Sequence, residues 1–107
     1  MIDLHTHTCF SDGADPPEVL LQKAQEIGLS AISITDHNTV AAYRTQAVRA
    51  YRGRLIPGVE ITCMYQGEVI EVLGHGFALE VMEDELSRHV LSFEEKQKRE
   101  FALICAA

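Results

Sequence analysis

Residues 31–39 read Ala31-Ile32-Ser33-Ile34-Thr35-Asp36-His37-Asn38-Thr39. The first five are apolar, β-branched or small, the composition of a short buried strand. Asp36 and His37 follow directly at its carboxyl end. Working outward in both directions, strands and helices alternate. Upstream, Ile2 to His5 reads as a strand running into a polar loop through Ser11-Asp12-Gly13. Pro16 and Pro17 suit a helix start, and Glu18 to Ile27 puts Val19, Leu20, Ala24 and Ile27 on one apolar face. Gly28 ends that helix. Downstream, Thr39 is placed to cap a second helix reaching about Arg52, with Val40, Tyr43, Ala47 and Ala50 inward and Gly53 as its stop. Leu55 to Ile61 begins a third strand, Gln66-Gly67 is a turn, and Val69 to Leu73 is a fourth strand. Glu80 to Ala107 reads as one long helix, with Leu86, Val90, Phe93, Phe101 and Ile104 at helical spacing.

This order is the βαβ pattern of an α/β fold with mostly parallel strands and a long C-terminal helix. In such folds functional residues gather on the loops after the strands. His5 to Asp12 follow the first strand, Asp36 and His37 the second, and Glu60 lies on or just after the third. The convergence of these positions on one rim is a physical argument that needs no motif catalogue.

The bulk properties set the frame. A chain of 107 residues supports one domain, 1–107, with a modest core. With 47% hydrophobic and 23% charged residues it lies far from the disordered class. The start of the chain has neither a basic region nor an apolar run, and no stretch is long and apolar enough to span a bilayer. No membrane and a cytoplasmic location are therefore expected. Cys9, Cys63 and Cys105 are scattered and odd in number, which fits reduced thiols and excludes a disulfide framework. The net charge of −7 disfavours general nucleic-acid binding through Lys and Arg. Acidic residues around a pocket are a different matter, because bound divalent cations reverse the local sign. A phosphate substrate would then be held by metal rather than by basic side chains.

His5 and His7 stand two apart on extended chain, so both imidazoles leave the same face and can chelate one ion. Alone, such a pair is weak evidence. Asp12, His37 and Glu60 strengthen it, because imidazole plus carboxylate is the ligand set of zinc, manganese or iron, and a carboxylate can bridge two ions. Asp36 is expected to point away from this set, supporting a ligand or capping the following helix.

Asp3-Leu4-His5-Thr6-His7-Thr8 with Ser11-Asp12-Gly13, then Ile34-Thr35-Asp36-His37-Asn38-Thr39, then Ile56-Pro57-Gly58-Val59-Glu60-Ile61, resemble the PHP (polymerase and histidinol phosphatase) domain family. The wording is most like the stand-alone branch of metal-dependent phosphoesterases acting on nucleotides and short oligonucleotides. The three segments keep the family's order and spacing over residues 1 to about 77. The resemblance implies a distorted (β/α)7 TIM-like barrel, present here as its N-terminal half, with up to three divalent ions in a cleft at the strand ends. By the same resemblance His5, His7 and Glu60 would hold one ion, Glu60 would bridge to a second, and Asp12 with His37 would hold a third. The implied reaction is phosphoester hydrolysis by a metal-activated water, with no catalytic residues separate from the metal ligands.

Two departures stand out. Where the family carries a His in a segment like V-H-I-L-G-Y, this chain reads Ile70-Glu71-Val72-Leu73-Gly74-His75. Glu71 takes the His position and is the favoured replacement ligand, with His75 the alternative. Second, a complete barrel of this kind needs roughly twice this length. Each of the three implied sites would lack a ligand from later motifs, so the chain is expected to be a truncated domain or to be completed by another subunit. His89 reads as a half-exposed helix residue, Glu94 to Glu100 as a solvated helix face, and Arg99 as a weak candidate for approaching substrate phosphate. The apolar end Phe101 to Ala107 calls for a partner surface, for which dimerisation through the last helix is one solution.

The leading expectation is hydrolysis of a phosphorylated small molecule or short nucleic acid. A histidinol-phosphate-type phosphatase is the second reading. The third is a catalytically incomplete fragment that binds metal and dimerises.

Overall fold

The structure is a computed structural model and describes residues 1–89. The first strand, β1 (Ile2–Thr6), pairs in parallel with β2 (Ala31–Ile34), with Ile2 opposite Ala31 and Thr6 opposite Ile34. Between them runs helix α1 (Pro17–Glu26), with Pro17 at its first position, where a missing N–H costs nothing. Gly28 at φ 74° stops the helix. Leu29 donates back to the Ala24 carbonyl (3.0 Å) and Gly28 to that of Gln25 (3.1 Å), which satisfies the last helical acceptors. The inward face is carried by Pro17, Leu21 and Ala24; Ile27, expected on it, is 68% exposed. Ala24 is buried and Leu20 packs against the core as expected, Leu21 joins them, and Ile27 lies at the C-cap beyond the helix.

The single helix expected from Thr39 to Arg52 is instead two short pieces, a 3-10 turn at Ala41–Arg44 and α2 (Gln46–Ala50). Thr45 is extended between them (φ −80°, ψ 157°), and its hydroxyl donates to the Ala42 carbonyl (2.7 Å). Thr39 acts one position early, its hydroxyl accepting the Ala41 N–H (3.1 Å). Val40, Ala42 and Tyr43 are buried, whereas Ala50 is exposed.

The break allows Tyr43 to reach into the sheet. Its hydroxyl donates to the Ile34 carbonyl (2.7 Å) and accepts the N–H groups of Ile34 and Gly58 (both 3.0 Å), with the Ile56 carbonyl also at 3.0 Å. On one side of this phenol, Ile32 and Leu55 form a parallel bridge; on the other, His37 and Glu60 form another. Strand β2 and the strand beside it thus run parallel through two bridges with one tyrosine hydroxyl filling the gap. Burial pushes the Tyr43 phenol above its ordinary pKa, so it stays protonated and available as a donor.

The third strand, β3 (Gly58–Tyr65), starts later than expected and turns at Gln66 and Gly67 into β4 (Glu68–His75). Both turn residues have positive φ (50° and 80°), the geometry of a tight two-residue hairpin. β3 and β4 are therefore antiparallel, with Glu60 opposite Leu73 and Thr62 opposite Glu71. The strands are thus mostly parallel, as expected: β1 with β2, and β2 with the strand beside it, while the hairpin alone is antiparallel among the described residues. At the end of β4, His75 Nε2 lies 2.8 Å from the Leu4 carbonyl of β1, which ties the hairpin to the first strand.

The core consists of Leu21, Ala24, Ile32, Ile34, Val40, Ala42, Tyr43 and Val59, closed by Leu86 from helix α3 (Leu79–His89). Arg44 fastens α3 through an ion pair with Glu83. Only the first part of the expected long helix falls in the described region; Val90, Phe93, Arg99, Phe101, Ile104 and Cys105 lie outside the described residues. His89 is exposed and paired with Glu85 (3.2 Å). Among the described residues, no helix is long and apolar enough to cross a membrane.

Candidate metal centre

All six expected ligands meet at the carboxyl ends of β1 and β2 and the facing surface of the β3–β4 hairpin. His5 leaves β1, and His7 follows one residue beyond that strand's end. Their shared direction brings both Nε2 atoms to one oxygen of Glu60, at 2.8 Å from His5 and 3.2 Å from His7. His37 follows β2, and the chain turns there because Asn38 adopts φ 57°, a left-handed conformation that Asn tolerates better than most residues. Asn38 also clamps β3. Its N–H donates to the Glu60 carbonyl (2.9 Å), and its side chain accepts from Thr62 N–H (2.9 Å) and donates to the Thr62 hydroxyl (3.2 Å). This fixes the His37 ring beside Glu60, with Nδ1 3.8 Å from Glu60 Oε2 and 3.8 Å from Glu71 Oε1. Asp12 arrives on the loop after β1, at 3.1 Å from His37 Nε2 and 3.5 Å from His7 Nδ1.

Three overlapping groups result: His5, His7 and Glu60; His7, Asp12 and His37; and His37, Glu60 and Glu71. Within each, the potential ligand atoms lie within 4.8 Å of one another. Ligands bound to a zinc at about 2.0–2.1 Å in a tetrahedron stand on the order of 3.3 Å apart, so the observed spacings suit an ion shared within each group. A second observation points the same way. His7 Nδ1 is buried and makes no hydrogen bond, with only the Asp12 carboxylate near it at 3.5 Å, an arrangement that another species would complete. Three imidazoles and three carboxylates, with Glu60 buried at 6% exposure, form a donor set that fits divalent cations.

Glu71, on β4, belongs to this cluster, whereas His75 turns its ring to the Leu4 carbonyl and joins none of the three groups. Glu71 and Glu60 share a face of the hairpin as diagonal neighbours, and their carboxyl groups hydrogen-bond. That bond is the foremost cause holding Glu71 above the ordinary carboxylate pKa, with desolvation and the Glu60 charge adding to it. The same bond draws Glu60 below its ordinary value, aided by His5 and His37 and opposed by burial.

Asp36, expected to point away, does so, but it does not cap a helix. Its buried carboxylate accepts bonds from Thr8 and Ser11 in the loop carrying Asp12. Thr8 and Ser11 were missed as site-building residues; their signal was two short hydroxyl donors flanking the His-to-Asp segment. Gly13 closes that loop so tightly that a Cβ there would stand 2.4 Å from the His7 carbonyl oxygen. Cys9 and Cys63 are free thiols, and neither is in the cluster.

Comparison with known proteins agrees with this geometry. The chain is 40% identical over 76 residues to the 5'-3' exoribonuclease Rnm of Escherichia coli, covering 67% of this chain and 26% of that protein. It is 32% identical over 80 residues to a phosphoribosyl 1,2-cyclic phosphate 1,2-diphosphodiesterase of Eggerthella lenta, covering 69% and 30%. A crystal structure from Bifidobacterium adolescentis, solved as a candidate metal-dependent phosphoesterase, superposes with a TM-score of 0.69 at 30% identity, over 81% of this chain and 32% of that one. The chain thus spans about a quarter to a third of the length of these proteins. The model of the PHP domain matches residues 3–105, and the chain belongs to the PHP domain family.

Proposed function

We propose that this chain carries the greater part of the metal centre of a phosphoesterase acting on nucleotides or short oligonucleotides. The observation that carries the reading is the convergence of His5, His7, Asp12, His37, Glu60 and Glu71 into three overlapping ligand groups at one end of the sheet. When bound, divalent ions in such a site supply Lewis acidity toward phosphoryl oxygens and an activated water. The chain's own residues orient and exclude. Glu60 stands at the centre, within reach of His5, His7, His37 and Glu71. Asp12 lies on the solvent side, with its side chain 66% exposed, so the approach to the cluster is open there. Among the described residues, no Lys or Arg forms an ion pair with any of the six, in keeping with a substrate phosphate held through metal. The relatives' names, an exoribonuclease and a cyclic phosphate diphosphodiesterase, support a phosphodiester of nucleotide type as substrate.

The fold belongs to the same reading: the described strands form the first part of a (β/α)7 TIM-like barrel, and 1–107 is one portion of a PHP domain. The exposed apolar residues of β4, among them Val69, Ile70, Val72 and Leu73, favour further strands packing there. They equally favour a second reading, a metal-binding module completed by another chain. Hydrolysis of a 5'-phosphorylated oligoribonucleotide by the chain reconstituted with Mn or Zn decides between them. Metal-dependent release of phosphate or nucleotide that disappears in Glu60→Ala is the expected result. A folded chain that binds metal yet hydrolyses no phosphoester contradicts the enzyme reading and leaves the module.

A further inference from the structure

Asp36 is the most deeply buried charged side chain among the described residues, at 1% exposure. A carboxylate taken out of water must be compensated, and among the described residues every hydrogen bond to it comes from one short loop. Its Oδ1 accepts the Thr8 N–H and the Ser11 hydroxyl, and its Oδ2 accepts the Thr8 hydroxyl, each at 2.7 Å. Thr8, itself fully buried, passes this anchorage on. Its hydroxyl accepts the Phe10 N–H (3.1 Å), and its carbonyl accepts those of Ser11 (3.1 Å) and Gly13 (2.9 Å). Asp12 is therefore suspended between two residues that are both tied to Asp36, Ser11 directly and Gly13 through Thr8. Its own side chain is largely exposed, and among the described residues it faces His7 and His37 alone. On its other side, the Asp36 carbonyl accepts the Glu60 N–H (3.1 Å).

We infer that Asp36 is a positioning residue that holds the 8–13 loop so that Asp12 faces His7 and His37 before any ion arrives. Its carboxylate bonds to none of the six clustered side chains. This inference rests on the metal-centre reading and adds a selective consequence: Asp36 governs the His7, Asp12 and His37 group and leaves the His5, His7 and Glu60 group alone. Outlying residues that orient metal ligands are typically worth about 10–100-fold in metal affinity.

Co2+ is the probe, titrated by calorimetry and visible absorption into the 107-residue chain and its Asp36→Ala and Asp36→Asn variants. Amide hydrogen exchange of the metal-free proteins is measured alongside. In Asp36→Ala one class of Co2+ sites weakens about 10–100-fold while the remainder is unchanged, and the Ser11 and Gly13 amides lose protection. Asp36→Asn retains an oxygen acceptor for the Thr8 N–H and the Ser11 hydroxyl and restores most of both. Unchanged Co2+ binding with protected amides in Asp36→Ala overturns the inference, as does equal loss of every Co2+ class in a folded protein. A wild-type chain that binds no Co2+ overturns the metal reading instead, and amide exchange then still decides whether Asp36 holds the loop. If Asp36→Ala does not fold, Ser11→Ala removes one of the three bonds, and it should weaken the same class of sites to a smaller degree. Full binding in that variant refutes the proposal.

Discussion

Glu60 and Glu71 present carboxyl oxygens within 4.8 Å of each other, and both face His37 at 3.8 Å. Two carboxylates side by side cannot both ionise cheaply, which a cation between them relieves. The directions separate the two. Glu71 is raised, so the folded state binds its proton more tightly than the unfolded chain does; its contribution to stability is full at low pH and is lost as pH rises through the raised value. Glu60 is lowered, so its contribution is present above the ordinary carboxylate range and is lost as pH falls through the depressed value. A divalent ion needs both carboxylates ionised, so its affinity rises with pH through the Glu71 titration and its binding releases a proton. Calorimetry in two buffers of different ionisation enthalpy should find less proton release in Glu71→Gln than in the wild type. Equal release would show that Glu71 holds no proton that metal displaces. At Gly13, where a methyl group would collide with the His7 backbone, Gly13→Ala should push the loop outward and weaken metal binding at least tenfold; a titration showing native affinity would contradict this packing. The six clustered side chains were legible in the sequence because His5, Glu60 and Glu71 lie on strands and His7, Asp12 and His37 follow them, and strand parity aims alternate residues together. The role of Asp36 was only half legible. Its neighbourhood to His37 was visible, but its three donors come from residues far back in the chain, which no local pattern reveals.

Among the elements, the seam between β2 and β3 depends on Tyr43. Sequence spacing marked this residue as the inner face of a helix, and it is buried as that implies. Its hydroxyl's place between two strands was not legible, because helical periodicity reports direction and not reach. The same demand explains why the expected helix is broken at Thr45. A continuous helix would compete with bringing the phenol to Ile34, Ile56 and Gly58. Tyr43→Phe leaves buried backbone groups without their partner and should cost about 1–3 kcal/mol, read from urea unfolding. A loss below the error of that measurement would mean the seam is held without the hydroxyl. The hairpin shows the opposite balance. Gln66-Gly67 was recognised as a turn, and a two-residue turn between extended segments forces antiparallel pairing. Parallel pairing is confined to the strands between which helical segments intervene.

For the molecule as a whole, the sequence pattern supports an α/β core, and the structure joins that core to a hairpin rich in outward apolar side chains. Val69 is 64% and Val72 48% exposed, in a chain whose core is otherwise closed by α3. Exposed apolar strands promote association. Light scattering at rising concentration should detect self-association of the 107-residue chain, reduced in a Val69→Lys, Val72→Lys double variant. A monomer at all concentrations would contradict the account of this surface. Charge follows the same logic at this scale. The net charge of −7 leaves metal as the source of positive potential at the site, so ligand binding should depend on the ion far more than on Lys or Arg.

The central claim is that these six side chains hold divalent ions. Elemental analysis of the tag-free chain, reconstituted with Zn, Mn or Fe and dialysed, tests it most directly when run beside Glu60→Ala. The account predicts about one ion or more per wild-type chain and a clear loss in the folded variant, because Glu60 enters two of the three groups. A folded wild-type chain that retains no metal, or a Glu60→Ala chain that retains as much as the wild type, would contradict it.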